Sequence, residues 1–350
     1  MSGAGHLRLG VLDQSPVPAG ATGADALRDT VALAGAAEAL GYSRYWLAEH
    51  HNTTGLAGTA PEVLAARVAS ATSTIRVGAG GVLLSHYSSL KVAEAFRVLQ
   101  ALFPDRIDLG IGRTAGADEV ATSALQAGPE SFGDEHFPRR VADLIAYLGG
   151  GLEAEHPHAG ARAMPASPGG PEVWLLGSSS YSSALAAALG VSFCFAHFIT
   201  PAYGHLVVDR YRRSFTPCGA AGLTGPRAAL AVSVICADTD AEAERLATSQ
   251  AVWRLGSDDD RGPLPSPEDA AVVLGGLDRV ARARVAQARE RVLVGGVERV
   301  RREIGALAAA FGVDETIVVT VVHDPVARRR SYELLAGAFD LGPGVVGDDG

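Results

Sequence analysis

Three short apolar runs each end in residues able to do chemistry. Tyr45-Trp46-Leu47-Ala48 leads into Glu49-His50-His51, Ile75-Arg76-Val77-Gly78-Ala79 into Gly80-Gly81, and Arg106 through Ile111 into Gly112-Arg113. A histidine changes charge near neutral pH and suits proton transfer. Adjacent residues of an extended chain point to opposite sides, so His50 and His51 do not share one ligand unless the chain turns there. Nor do they match the i, i+4 spacing of a helical zinc site, and no metal site is expected. One histidine should face a pocket while the other packs or hydrogen-bonds sideways; a purely structural role for the pair stays open. The glycines of 78–81 weaken a strand unless a bulge, close packing or a flat ligand lying on bare backbone requires them. Arg113, just beyond the third run and close to Gly110 and Gly112, suits recognition of an anion.

A fourth cluster is Leu176-Gly177 followed by Ser178-Ser179-Ser180-Tyr181-Ser182-Ser183 and an alanine-rich helical stretch. Backbone N–H groups and hydroxyls at a helix start form a phosphate site, and a plain serine N-cap is the alternative. Asp13 and Gln14, His86, and His197 follow other strand-like runs and are candidate pocket residues. His156, His158 and His323 read as surface or capping residues.

The elements that must position these residues alternate along nearly the whole chain. Strands are expected near 7–12, 43–48, 75–82, 106–111, 172–176, 191–196, 228–236 and 316–322. Helical periods lie between them, such as Val92, Phe96, Leu99 and Phe103, or Val297, Val300, Ile304, Leu307 and Phe311 ending at Gly312. Asp324 and Pro325 form the N-cap and first turn of a last helix. Alternation of this kind predicts an α/β fold, a (β/α)8 TIM barrel whose site lies at the carboxyl ends of the strands. Two segments interrupt it. Residues 150–171 form an irregular excursion before strand 5. Residues 256–290, opening on Gly-Ser-Asp-Asp-Asp-Arg-Gly-Pro, form a mobile insertion after strand 7, a lid or else a surface loop. One domain over 1–341 and a disordered tail over 342–350 are expected.

The chain has 350 residues, 47% of them hydrophobic, and a formal charge of −9, which argues against a nucleic-acid partner. No run of roughly 20 apolar residues predicts a membrane span, and no signal peptide is read at the start, so a cytoplasmic protein is expected. Cys194 and Cys236 fall in apolar runs and should be buried. Lys91 is the only lysine among 30 Lys and Arg residues, a bias typical of GC-rich coding. The cluster Arg328-Arg329-Arg330 is accordingly expected to be a solvated helix face.

The ordered set of motifs resembles the bacterial-luciferase-like flavin-dependent monooxygenases. The likeness is densest in Leu12–Pro16, Trp46–His51, Leu56–Glu62, Leu90–Glu94 and Phe103–Arg113. It implies that His50 lies beside the reactive edge of the flavin. It implies also that Gly80–Gly81 is a non-prolyl cis peptide supporting the ring, and that Arg113, Gly177, Ser178, Ser179 and Tyr181 surround the FMN phosphate. The activity implied is that of a two-component enzyme using FMN reduced by a separate flavin reductase, with O2 as co-substrate, to hydroxylate or epoxidise a small organic molecule. An aromatic polyketide intermediate in antibiotic biosynthesis is the substrate class expected. A homodimer formed through the second and third helices is also implied. Gly112 and Gly177 stand where the light-emitting members have cysteine and glutamate, which points to a non-luminescent member. The alternatives are an F420-dependent hydride-transfer enzyme and a flavin-binding protein without catalysis.

Overall fold

The structure, a computed structural model, describes residues 7–113, 118–126, 134–166, 168–219, 222–256 and 261–342. In chain order the elements are β1 (Arg8–Asp13), α1 (Gly23–Ala39), β2 (Arg44–Leu47), α2 (Pro61–Ala71), β3 (Arg76–Leu83), α3 (Ser89–Leu102) and β4 (Ile107–Gly112). Next come α4 (Glu119–Leu125), α5 (Phe137–Gly149), β5 (Glu172–Gly177), α6 (Ser180–Leu189), β6 (Ser192–Ala196), α7 (Gly204–Ser214), β7 (Ala228–Ala237) and α8 (Asp240–Trp253). The chain continues through α9 (Pro267–Gly276), α10 (Arg279–Arg289), β8 (Val292–Gly296), α11 (Val297–Phe311), β9 (Glu315–Val319) and α12 (Pro325–Ala338).

All the strand pairs are parallel, and every strand except β8 joins a closed ring in which β9 bridges β7 to β1. This is the expected (β/α)8 barrel. The long β7 explains the extra strand: Leu230–Ser233 pairs with β9, while Ser233–Ala237 runs on and pairs with β8.

Side chains alternate across each strand. Outward residues such as Leu9, Tyr45, Val77, Leu109, Phe193 and Val318 are buried under the helices. Inward residues stack in layers. The lowest layer is ionic: the fully buried Arg44 donates to Asp108 at 2.6 Å and to Glu315 at 2.8 Å. Arg76 reaches Asp108 at 2.6 Å, and Arg227 reaches Glu172 at 2.8 Å. Trp46 Nε1 donates to Asp108 at 2.8 Å, and the Arg44 guanidinium lies 4.9 Å from the Trp174 ring. Above this floor the interior is apolar, with Leu12, Trp46, Trp174, Cys194, Ala229 and Ile317.

A second buried ionic group lies outside the barrel wall. Asp13 is fully buried and accepts from Arg328, Tyr45 Oη and the Ser15 N–H. Arg328 also donates to the Thr320 carbonyl at 3.0 Å. This corrects the expectation for the arginine cluster, because Arg328 is buried even though Arg329 and Arg330 are exposed. A helix facing a wall cannot solvate every position of a three-residue run.

The insertion after β7 also departs from expectation. Its described part holds α9 and α10 and is not aperiodic. Its base is fastened down: Leu264, fully buried, exchanges backbone hydrogen bonds with Val17 and Ala19, and Gly55 N–H donates to the Arg261 carbonyl. Residues 257–260 lie outside the described residues. The excursion at 150–171 is irregular, apart from turns, as expected. Gly342, expected to begin the tail, packs so closely on Gly41 that a Cβ there would lie 2.0 Å from its carbonyl oxygen; residues 343–350 lie outside the described residues. Gly312 ends α11 at φ 61°, and Asp324 caps α12 through the Val326 N–H. No described helix is long and apolar enough to cross a membrane.

Two outcomes follow from the buried charges. Arg328→Met leaves the Asp13 carboxylate unpaired and should cost about 3–5 kcal/mol, read by urea unfolding; a loss within error of zero would contradict the pairing. Burial alone raises the Asp13 and Glu315 carboxyls. Arg328 at Asp13, and Arg44 with Arg8 at Glu315, nonetheless hold them below their ordinary values of 3.8 and 4.5. Groups more acidic when folded stabilise fully above the unfolded value and lose that stabilisation as pH falls through the folded one. The stability gap between the wild type and Asp13→Asn should therefore narrow as pH drops below about 4. An unchanged gap across that range would contradict it.

Candidate active site at the carboxyl ends of the strands

The barrel layers decide which residues reach the mouth. Along β2 the inward positions are Arg44, Trp46 and, just past the strand, Ala48. Past the strand His50 is half-buried, with its N–H donating to the Gly58 carbonyl at 2.8 Å. A carboxylate only accepts, so His51 carries its proton on Nε2, which donates to Glu49 Oε1 at 2.7 Å. His51 is thus turned sideways onto Glu49.

Gly80–Gly81 is a cis peptide bond. A Cβ on Gly80 would lie 2.8 Å from Leu12 Cδ1 and Trp46 Cβ, and one on Gly81 would lie 2.6 Å from the Gly110 carbonyl oxygen. No side chain fits at either position, so the backbone itself is presented. The β3–β4 register shifts here, between Ala79 and Val82. The bulge and the close-packing explanations for these glycines therefore both apply. Gly112 differs: a Cβ there would meet Leu83 Cδ2 at 3.5 Å and the Val82 carbonyl oxygen at 3.9 Å, both ordinary contacts. Packing does not require that glycine, and it leaves room at the rim.

Arg113 follows β4, and its guanidinium lies 4.5 Å over the ring of Tyr181 in the first turn of α6. The tips of β4 and β5 are thereby joined around one cationic, donor-rich spot. Ser179 is the N-cap of α6, its hydroxyl accepting from the Ser182 N–H. The N–H groups of Ser180 and Tyr181, one and two positions into the helix, have no intrahelical acceptor. Ser178 accepts from Thr200 Oγ1 at 3.3 Å, which brings the loop after β6 to the same place. Gly177 approaches α6 so closely that a Cβ would lie 2.2 Å from Ser182 Oγ, which leaves no space for glutamate in this arrangement. A planar guanidinium, a helix start and hydroxyls together fit a phosphate monoester. The bare cis peptide fits a flat ring. The residues present thus suit FMN, with Ser179 contributing as the cap more than as a free donor.

Two candidate pocket residues are corrected. Asp13 shares the outward side of β1 with Leu9 and Val11 and is committed to Arg328 behind the wall. His197 shares the outward side with Phe193 and Phe195, and its buried ring sits 6.0 Å from Phe311 of α11. Burial lowers its basicity. Period-two alternation within β1 and β6 was the signal that places both outside. Phe198, the next residue, packs with the interior instead, as do Leu56, Trp253 and Leu264, which sequence reasoning missed. His86 lies at the rim in a one-turn 3-10 helix (Leu84–His86), 6.0 Å from the His51 ring. Gln14 is half-buried at the end of β1. No cluster able to hold a metal ion occurs among the described residues. A separate small crevice of about 50 Å3, lined by Val82, Tyr87, Lys91 and Phe96, lies between the barrel wall and its helices and lacks the donor set of the rim.

Comparison with known proteins agrees with this geometry. The family model for luciferase-like monooxygenases matches residues 7–315. The YwcH protein of Bacillus subtilis (strain 168) is 43% identical over 331 residues, covering 95% of this chain and 98% of that one. The N-acetyl-S-alkylcysteine monooxygenase of the same organism is 36% identical over 333 residues, covering 95% and 98%. The crystal structure of apo-MsnO8 superposes with a TM-score of 0.86 at 42% identity, covering 97% of this chain and 100% of that one. The chain is a member of the luciferase-like monooxygenase family.

Proposed function

We propose that this monooxygenase is the oxygenase component of a two-component system, taking FMN already reduced by a separate reductase and using O2 to oxygenate an apolar organic substrate. What supports the reading is that the bare Gly80–Gly81 peptide of β3, the Arg113–Tyr181 clasp beside the α6 start, and His50 just past β2 all lie toward the carboxyl ends of neighbouring strands. Reduced FMN, when bound, supplies the electrons for oxygen activation. The chain's own residues do the rest. Arg113 and the first turn of α6 hold the phosphate. Gly80–Gly81 carries the ring, and Gly112 leaves space beside it. His50 takes and returns a proton at its imidazole. Phe198, Leu56, Trp253 and Leu264 make an apolar wall that keeps water out of the barrel top.

That wall suits a hydrophobic substrate, whether an aromatic polyketide intermediate to be hydroxylated or epoxidised or, given the named relative, an S-alkylcysteine derivative. The exposed Val63 of α2 and Val98 and Leu102 of α3 support pairing of two copies through these helices.

The reading is tested by substitution at its two ends. His50→Ala should lower turnover about 10²- to 10⁴-fold while anaerobic titration shows reduced-FMN affinity nearly intact; lost binding with unchanged chemistry per bound flavin would reject the proton role. Arg113→Ala removes a charge-assisted contact worth about 1.5–3 kcal/mol and should raise the Kd for reduced FMN roughly ten- to a hundredfold. An unchanged Kd would remove Arg113 from the phosphate site.

A further inference from the structure

Glu49 is nearly fully buried, yet it lies between the two parts of the rim that the proposed reaction must keep in register. Its Oε2 accepts from the Leu83 N–H at 2.9 Å, two residues beyond the cis Gly80–Gly81 bond. Its Oε1 accepts from Tyr87 Oη at 2.6 Å and from His51 Nε2 at 2.7 Å. Tyr87 Oη is also 3.3 Å from His51 Nε2, and the His86 ring stands edge-on to both, 6.0 Å from His51 and 6.1 Å from Tyr87. Residues on both sides of His50, Glu49 and His51, are therefore fastened to the end of β3 and the turn after it.

We propose that Glu49 and Tyr87 are positioning residues: through one saturated carboxylate they lock the backbone carrying His50 to the Gly80–Gly81 shelf as a single rigid unit. The inference rests on the proposed flavin reading for its catalytic meaning, though its geometric part does not. A buried carboxylate demands donors, and three of them here come from two separate segments of chain. Removing one frees both segments to shift. Tyr87 is a durable donor, since burial, with Glu49 beside it, holds its phenol well above the ordinary tyrosine range. The Glu49 carboxylate takes its donors from Leu83, Tyr87 and His51, whereas the turn they share reaches Arg113 only at its backbone carbonyl, through Ser85 Oγ at 3.2 Å; holding the phosphate through the guanidinium and positioning the histidine are separable tasks.

The test uses the full chain with Tyr87→Phe, which deletes one hydroxyl, and Glu49→Gln, which keeps the shape and one acceptor. Glu49→Ala serves as the severe variant. Histidine 15N NMR of the flavin-free protein, with the His50 signal assigned by His50→Gln, reports the imidazole directly. Anaerobic titration with photoreduced FMN reports affinity, visible circular dichroism of bound FMN reports ring placement, and reoxidation of bound reduced FMN by O2 reports chemistry. In Tyr87→Phe and Glu49→Gln the His50 signal and the flavin dichroism should change and the reoxidation rate should shift about ten- to a hundredfold. The Kd should stay within about threefold, because the phosphate contacts remain. A His50 signal, dichroism and rate all equal to wild type in both variants would overturn the inference. Failure of the wild type to bind reduced FMN would instead sink the proposed function. The NMR comparison would still decide whether Glu49 and Tyr87 position His50.

Discussion

The buried guanidinium of Arg44 sets the frame on which the rest of this barrel depends. It binds Asp108 of β4 and Glu315 of β9 at once, from its own position on β2, and lies against the Trp174 ring of β5. Four strands are thereby held in register at the floor. Because side chains alternate with a period of two, a slip of one residue would turn every inward position outward. The floor thus fixes the mouth: Arg44, Trp46 and Ala48 lead to His50; Asp108 and Gly110 lead to Gly112; Glu172, Trp174 and Leu176 lead to Ser178. Between the two ends the interior is filled by tryptophans and aliphatic side chains, and Trp46 links them directly, donating to Asp108 below and packing on Gly80 above.

At the rim, packing is uneven between a tightly packed part and a loosely packed one. The cis glycine pair is wedged between Leu12, Trp46 and Gly110. Behind the wall, the Asp13 carboxylate of β1 accepts from Arg328 of α12 and directly from Tyr45 Oη of β2, which ties these elements together. In contrast, α4 buries none of its residues and is tied to the rim by side-chain bonds such as Asn52 to Asp118 at 2.6 Å. The tightly packed elements carry the glycine pair and the strand leading to His50, while α4 packs loosely.

Most of the architecture was legible because it is periodic. Seven of the eight expected strands match the ring within a residue or two, and the last, expected to reach 322, ends at Val319; the Glu-His-His tip, the glycine run of 78–81 and the serine-rich helix start are local patterns, whereas the cis Gly80–Gly81 bond is implied by the family resemblance. What escaped the sequence depends on partners distant along the chain. Nothing near Arg328 shows that it will meet Asp13, more than three hundred residues earlier, so a buried ion pair read as a solvated cluster. The ionic floor left a trace, a charged residue at the base of Arg8, Arg44, Arg76, Glu172 and Glu315 strands, but its meaning emerges only when the ring closes. Helices α9 and α10 were hidden by the breaker-rich run that precedes them and by the short β8 that follows. Asp13 and His197 were misplaced for a simpler reason: proximity to a strand end was given weight that the side-chain alternation should have had.

The central claim is that this rim binds reduced FMN through its phosphate as well as its ring. The most direct measurement is an anaerobic titration of the wild-type chain with photoreduced FMN beside one with reduced riboflavin, which has the same ring and no phosphate. The account predicts saturable binding of reduced FMN and riboflavin affinity weaker by at least about tenfold. Equal affinity for the two, or no binding of reduced FMN, would contradict it.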